Sequence, residues 1–444
     1  MPSAIELKKL ESLAMGEKEF KMRECFYRLF KIADGDKTIV FIPALSKVFY
    51  VDSKVATALP DFVSTNQPAP KKEMIILPNY LFTNATLLLT NRCNLRCVYC
   101  FGDFGGPISR IISMPIQTAY AAIDFILNNA QQLPGRRVRV VMFGGEPTLA
   151  WETLVKTTIY LRQKASDVNI QSAATITTNG CFSKERAIWL AKYMDNILLS
   201  IDGPKDLHNA HRNGSFARVF DTAKTIYTVA PQKLSFRITV SAFSVDRLPE
   251  IAMFLGSNFP GRRQGYEPIF AMGRIGYNQC SMPPAPELFF KKFLEAAKIA
   301  KQFKSTTRIS VLKLEKREDL TFCGASGNNF MVTYDDRVLA CHRMAEIEGV
   351  GSLFRYGRFN PHTNTFEFDD AKYQFLKRLT INDIPECRNC FAQHSCRGDC
   401  PATKAMLYPA DFWKKPSYRC EAIREFTKIA LRHILEHSKE GLVL

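Results

Sequence analysis

Residues 85–100 read ATLLLTNRCNLRCVYC, an apolar run that breaks into a loop carrying Cys93, Cys97 and Cys100. ATLLLT has the content of a short buried strand, and the change to Asn91, Arg92 and Cys93 marks its end. Three cysteines in a CxxxCxxC spacing on one tight loop can converge on one centre, since soft thiolates suit zinc and iron-sulfur clusters alike. Three ligands rather than four leave a position open, and an open position is where a substrate or cofactor binds. A zinc knuckle completed by a distant histidine is the structural alternative for the same spacing.

Working outward, the strand is the first of six. VRVVMFGG, SAATITTNG, NILLSIDG, SFRITVSAF and GYEPIFAMG are the other buried runs. Between them lie TAYAAIDFILNNAQQL, ETLVKTTIYLRQKA, KERAIWLAKYM, ARVFDTAKTIYTVA and LPEIAMFLGS, with apolar residues at three and four residue spacing. This alternation predicts an α/β fold with parallel strands and right-handed crossovers, closing as a partial (β/α)6 barrel over residues 80–307. In such barrels the chemistry sits at the carboxyl ends of the strands. Those ends hold Gly144-Gly145-Glu146-Pro147, Thr177-Thr178-Asn179-Gly180 and Ser200-Ile201-Asp202-Gly203-Pro204, with His211 and Arg212 shortly after. Glycines let a backbone approach closely, Glu146 suits a cationic ammonium, and Arg212 suits a carboxylate by its planar fork. Asp202 reads equally as a helix cap or turn.

Before the barrel, residues 1–75 form a small α+β block. Its first twenty residues are polar and helix-prone. FYRLF, TIVFIPA and KVFYVD then read as strands, and SKVATALPDF opens a helix capped by Ser53. STNQPAPKKE, residues 64–73, is a linker. After the barrel, residues 308–444 hold seven of the thirteen cysteines, short strands such as FMVTYDD and RVLACH, and a last helix EAIREFTKIALRHILEH. This region is organised by ligands as much as by core.

The loop CNLRCVYC, followed one strand later by Gly144-Gly145-Glu146-Pro147, resembles the signature of the radical S-adenosylmethionine (radical SAM) enzymes. The resemblance implies a [4Fe-4S] cluster on Cys93, Cys97 and Cys100, whose free iron binds S-adenosylmethionine and whose electron releases a 5'-deoxyadenosyl radical. It implies that Tyr99 lies near the adenine and that Gly144, Gly145, Glu146 and Pro147 receive the methionine ammonium. Ser200 and Arg212 are implied to reach the methionine carboxylate and ribose.

Cys323, Cys341, Cys387-x2-Cys390-x5-Cys396-x3-Cys400 and Cys420 resemble the SPASM/twitch extension of radical SAM enzymes that modify peptides. That resemblance implies two auxiliary clusters, for three [4Fe-4S] clusters in all. Cys323, Cys341 and Cys400 would hold the nearer one, and Cys387, Cys390, Cys396 and Cys420 the further one. With three ligands evident, the nearer cluster has either an open iron for a substrate thiolate or a fourth ligand of another kind. Cys181 is the minor candidate for that ligand, and Cys25 and Cys280 are incidental thiols.

The implied activity is modification of a ribosomally made precursor peptide by a thioether crosslink from cysteine sulfur. Its partners are a leader-bearing peptide and an external electron donor of the flavodoxin or ferredoxin type. The N-terminal block loosely resembles the leader-binding winged-helix domain of peptide maturases. Anaerobic sulfatase maturases, which oxidise Cys or Ser to formylglycine, are the alternative. In them an aspartate base follows the cysteine matching Cys341, where this chain has His342, the candidate base here.

The formal charge of +17 suits an anionic partner. No run of five Lys or Arg and no aromatic-basic motif concentrates it, so a nucleic-acid-binding iron-sulfur protein is the rival reading and no nucleic acid is expected. No apolar run approaches the roughly 18 residues that span a bilayer, so no membrane is expected. The charged start MPSAIELKKLESLAMGEKEF has no apolar signal core, and the expected location is cytoplasmic.

Overall fold

The computed structural model describes residues 25–43, 47–65, 80–102, 111–135, 137–269, 279–311 and 320–436. Sixteen strands are described. The first five are β1 Cys25–Arg28, β2 Phe30–Asp34, β3 Lys37–Ile42, β4 Lys47–Asp52 and β5 Phe62–Thr65. The six runs read from the sequence are β6 Asn84–Leu88, β7 Arg137–Phe143, β8 Gln171–Thr178, β9 Asn196–Ser200, β10 Leu234–Val240 and β11 Arg263–Pro268. After them come β12 Thr307–Ile309, β13 Phe330–Val332, β14 Arg337–Leu339, β15 Arg355–Asn360 and β16 Thr365–Phe368.

β6 to β11 pair in sequence order, each parallel to the next, as the alternating pattern predicts. The sheet does not stop there. β12 adds in parallel beside β11, and β13 adds in parallel beside β6. β14, β15 and β16 continue antiparallel from β13, giving an eleven-stranded sheet. The cysteine-rich region is thus joined to the barrel by main-chain hydrogen bonds at β13 and β6.

Each barrel strand has two faces. In β7, Val138, Val140 and Met142 are buried against the outer helices, while Phe143 faces the barrel interior. In β10, Phe236, Ile238 and Val240 face outward and Arg237 and Thr239 inward. The period of two therefore sends one hydrophobic set to the outer helices and leaves Phe143, Arg237 and Thr239 to a common interior. The helix Ile116–Gln131 supplies the complementary stripe, burying Ala119, Ala122, Ile123, Ile126 and Ala130.

In the N-terminal block, β2, β3 and β4 form an antiparallel sheet, and β1 pairs with β5. The helix Ser53–Ala58 is capped by Asp52 rather than by Ser53, as the Asp52 carboxylate accepts from the Lys54 amide at 2.8 Å. Ser53 instead donates to the Asp36 carbonyl at 3.0 Å. The polar stretch expected to be helical at residues 1–20 and most of the linker lie outside the described residues. The sheet docks on the last helix, Cys420–Glu436: Ile32 and Ile39 pack on Leu431, and Asp34 accepts from Arg432 Nε at 3.0 Å and Tyr50 Oη at 3.0 Å. Among the described residues, no helix is long and apolar enough to cross a membrane.

Candidate active site

The loop after β6 is shaped by its own side chains. Asn91 Oδ1 accepts from the Ile112 amide at 2.9 Å, Asn94 Nδ2 donates to the Cys181 carbonyl at 2.8 Å, and the Val98 amide donates to the His211 carbonyl at 3.0 Å. Cys93, Cys97 and Cys100 thereby line one cavity of about 410 Å³. Leu95 N and Asn179 Nδ2 point at Cys93 Sγ, at 3.5 and 3.7 Å. Burial pushes the Cys93 thiol up to about 12, helped by Glu146, Cys97 and Cys100. Thiols so placed ionise only when a cation takes the thiolate.

Gly144 and Gly145 line the cavity and are also required by the backbone packed behind them. A Cβ on Gly144, which sits at φ +131°, would lie 2.5 Å from the Thr90 carbonyl oxygen, and one on Gly145 would lie 2.3 Å from that of Arg92. The close approach is to the cysteine loop's own backbone: Gly145 N donates to Thr90 O and Glu146 N to Arg92 O, both at 2.8 Å. Gly145→Ala is therefore expected to push the loop off β7 and to cut iron incorporation at Cys93, Cys97 and Cys100. Metal analysis of the purified variant against wild type checks it, and full iron with unchanged absorption would refute it.

Glu146 is fully buried. Its Oε1 accepts from Thr148 N, Thr148 Oγ1 and Thr178 Oγ1 at 3.1, 2.7 and 2.7 Å, and Oε2 accepts from Asn179 N at 2.7 Å. Burial raises its pKa while these donors oppose the rise. Oε2, with one donor, keeps room for another. Pro147 is not on the cavity wall and starts the short turn Pro147–Ala150.

Asp202, read as a possible cap, is the hub of the next strand end. It is fully buried and receives Tyr99 Oη, Arg212 Nε at 2.9 Å, His211 Nδ1 at 3.2 Å and, on its other oxygen, Thr239 N at 2.9 Å. Burial opposes its ionisation, but the Arg212 guanidinium and the His211 ring overcome that and hold it well below the usual carboxylate range. Arg212 also lies over the Tyr99 ring, 5.4 Å from its centroid, and its Nη1 is 4.0 Å from Cys97 Sγ. Tyr99, Ser200 and Arg212 all line the cavity. The signal in the sequence for Asp202 was its place between a strand end and His211-Arg212.

Cys323, Cys341 and Cys400 lie on the same cavity wall as the first three cysteines. Arg343 Nη1 donates to Cys400 Sγ at 3.4 Å. Burial, with Cys400 beside it, pushes Cys341 up to about 11. The His342 ring packs 4.8 Å from Phe143 and 5.3 Å from Phe101, and burial with Arg237 and Arg343 nearby pushes it down to about 3. His342 thus lies on the cavity wall among Phe143, Phe101, Arg237 and Arg343. Arg237, Thr239, Glu267 and Ser310 complete the polar lining, and Ser310 donates to Glu267. None of the four carries a sequence motif.

Cys387, Cys390, Cys396 and Cys420 are absent from that wall. They neighbour one another: burial raises Cys387 to about 11, reinforced by Cys390 and Cys420, and raises Cys396 well above its ordinary value, reinforced by Asp399, Cys420 and Cys387. Phe391, just after this turn, packs with Ile32 and Ile39. Cys181 is buried in the barrel core and does not line the cavity, so the structure gives no support to it as a missing ligand. The Cys25 side chain lies outside the described residues. Among the described residues no three His, Cys, Asp or Glu side chains close on a single ion. Six cysteines around a shared space and four in a second group fit polynuclear iron-sulfur chemistry by donor type.

The sequence model of the radical SAM superfamily matches residues 87–248. A Clostridium perfringens cysteine-type anaerobic sulfatase-maturating enzyme is 22% identical over 364 residues, 77% of this chain and 94% of that protein. An uncharacterized Methanocaldococcus jannaschii protein is 33% identical over 156 residues, 34% of this chain and half (50%) of its own length. Among solved structures, native anSMEcpe with bound AdoMet and Cp18Cys peptide superposes with a TM-score of 0.62 at 20% identity, covering 82% of this chain and 100% of that one. Streptococcus suis SuiB bound to S-adenosylmethionine superposes at 0.56 and 14% identity, covering 89% and 99%. With the cysteine loop at the end of β6 and the cysteine-rich region joined to β6 through β13, the chain carries a radical SAM domain over residues 87–248 and shares the fold of anSMEcpe beyond it.

Proposed function

We propose that this enzyme modifies a ribosomally made precursor peptide, joining a cysteine sulfur to a carbon of the same peptide as a thioether. The observation that carries the reading is that Cys93, Cys97 and Cys100 share one cavity with Cys323, Cys341 and Cys400, and among the described residues no seventh cysteine lines it. In this reading the chain holds three [4Fe-4S] clusters. Cys93, Cys97 and Cys100 hold the first with S-adenosylmethionine, Cys323, Cys341 and Cys400 the second, and Cys387, Cys390, Cys396 and Cys420 the third. When bound, the first cluster and S-adenosylmethionine supply a 5'-deoxyadenosyl radical that removes a substrate hydrogen. An external donor of the flavodoxin or ferredoxin type supplies the electron.

The chain's own residues do the positioning. Glu146 Oε2 offers its remaining acceptor capacity to the methionine ammonium, and Arg212, held by Asp202, offers its free guanidinium edge to the carboxylate with Ser200. Tyr99 forms the wall beside the adenine. Phe101, Phe143 and His342 pack together beside this space and exclude water from it. The N-terminal sheet is the candidate site for a leader peptide, added as a strand at one of its edges, β2 or β4.

Sulfatase maturation is the second reading, favoured by a relative matched over 94% of its length. The two separate on one mass spectrum. Anaerobic enzyme, dithionite and S-adenosylmethionine are to be incubated with any short cysteine-bearing peptide found encoded beside the gene, or with a sulfatase peptide. A thioether removes two hydrogen atoms and protects the cysteine from alkylation. Formylglycine removes the cysteine sulfur and yields an aldehyde. An unchanged neighbouring peptide together with an oxidised sulfatase peptide would overturn the crosslinking reading.

A further inference from the structure

Where the helices Lys184–Tyr193 and Phe216–Val229 meet, the surface holds a depression of about 460 Å³ that shares no lining residue with the cavity. Phe182, Lys184, Arg218 and Lys224 line it, and Asp221 is the one acid among its lining residues. Lys184, Arg218 and Lys224 are all exposed, and among the described residues none of them pairs with a carboxylate. The Lys224 ammonium lies 4.4 Å from the Phe220 ring centroid.

The depression backs onto the cysteine loop. Phe182 follows Cys181, whose carbonyl accepts from Asn94 Nδ2 at 2.8 Å and whose amide donates to Asn179 Oδ1 at 2.8 Å. Asn179 Nδ2 donates to Asn94 Oδ1 at 2.8 Å and points at Cys93 Sγ, 3.7 Å away. Thr222 Oγ1 donates to the Gly180 carbonyl at 2.8 Å, which ties the helix carrying Arg218 and Lys224 to the same turn. Cys181 and the Asn179 side chain therefore separate the wall of a basic depression from a sulfur of the catalytic loop. A donor docked here comes close to that loop and leaves the substrate cavity free. Electron-transfer encounters are small and transient, so a compact charged patch is enough to hold one. With +17 on the chain, the face that docks must be acidic, and unlike charges steer its approach.

We infer that the depression bearing Lys184, Arg218 and Lys224 is the docking surface for an acidic electron-carrier protein, which delivers its electron to the centre on Cys93, Cys97 and Cys100 through the turn after β8. The carrier is oxidised by one electron, that centre is reduced by one, and no bond forms or breaks in the transfer. The inference rests on the first cluster and the external donor of the proposed function.

The test uses flavodoxin, and a ferredoxin in parallel, both as ligand and as the reductant of iron-loaded enzyme. K184E/R218E is compared with wild type and with K291E/K298E, an equal charge reversal at exposed lysines of the helix Pro286–Gln302. Biolayer interferometry at low ionic strength is expected to show the carrier associating about tenfold more slowly with K184E/R218E, a difference that fades as salt is raised. K291E/K298E should stay within about twofold of wild type. Release of 5'-deoxyadenosine should fall in step when the carrier is the reductant and hold at the wild-type rate with dithionite, which needs no docking. Should K184E/R218E lose iron, K184Q/R218Q carries the same comparison. Equal slowing in both charge-reversed variants would mean that net charge alone attracts the carrier, and would overturn the inference. So would wild-type association and carrier-driven release in K184E/R218E, or a wild type that binds neither carrier. No 5'-deoxyadenosine from iron-loaded wild type with dithionite would instead overturn the first cluster of the proposed function, and the inference with it.

Discussion

Protein carrying C93A, C97A and C100A should release no 5'-deoxyadenosine from S-adenosylmethionine under dithionite, a loss of at least about a thousandfold against wild type. The three thiols sit on one loop, held by Asn91, Asn94 and the Val98 amide, and line the cavity. Iron should fall by about four atoms per chain while the auxiliary centres keep theirs. Chromatographic assay of 5'-deoxyadenosine with parallel metal analysis is the measurement. Cleavage that persists in the triple variant would sink the assignment of the loop as the catalytic centre. Loss of all iron would show instead that the loop is needed to fold the rest.

Asp202→Asn should cost about 3–5 kcal/mol of stability, the usual range for stranding one partner of a buried ion pair. The charge it removes answers Arg212, which is itself buried, and its oxygens also take Tyr99, His211 and the Thr239 amide. The pH dependence has a definite sign. A carboxylate depressed in the folded state stabilises fully above its unfolded pKa, about 3.9, and loses that contribution as pH falls through the lower folded value. The difference between wild type and variant should therefore be flat from about pH 5 to 8 and shrink only in acid. Denaturation midpoints at several pH values measure it. A difference that is greatest in acid, or absent at neutral pH, would mean that Asp202 does not carry the charge in this network.

Much of the barrel was legible because it is written in periods. Alternation of two sends Val138, Val140 and Met142 one way and Phe143 the other, and a helical stripe such as Ala119, Ala122, Ile123 and Ile126 matches it. Ser53 was taken for a cap that Asp52 provides, because either side chain can reach an amide and only the backbone angle of the preceding residue decides. β12 and β13 have three residues each, too few to show a period, and so their addition to the two edges of the barrel sheet was not legible. Glu267, Arg237 and Ser310 reach the cavity only because β10, β11 and β12 are in register.

By itself the sequence determined the chemistry on offer. Cysteine spacing and strand-end motifs are local, within a turn or two of chain, and local constraints survive in the order of residues. It divided the cysteines into three on one loop and seven near the other end, and the resemblance divided the seven into Cys323, Cys341 and Cys400 and the remaining four. The tertiary structure put that grouping in space: Cys323, Cys341 and Cys400 line one cavity with Cys93, Cys97 and Cys100, and the other four do not line it. It also gave Gly144 and Gly145, which line the cavity, a second part as the contact that locks β7 to the cysteine loop, and showed Asp202 to be a buried ionic hub. These depend on which distant strands are neighbours and on what is left without water between them, and neither is stored in any short stretch of the chain.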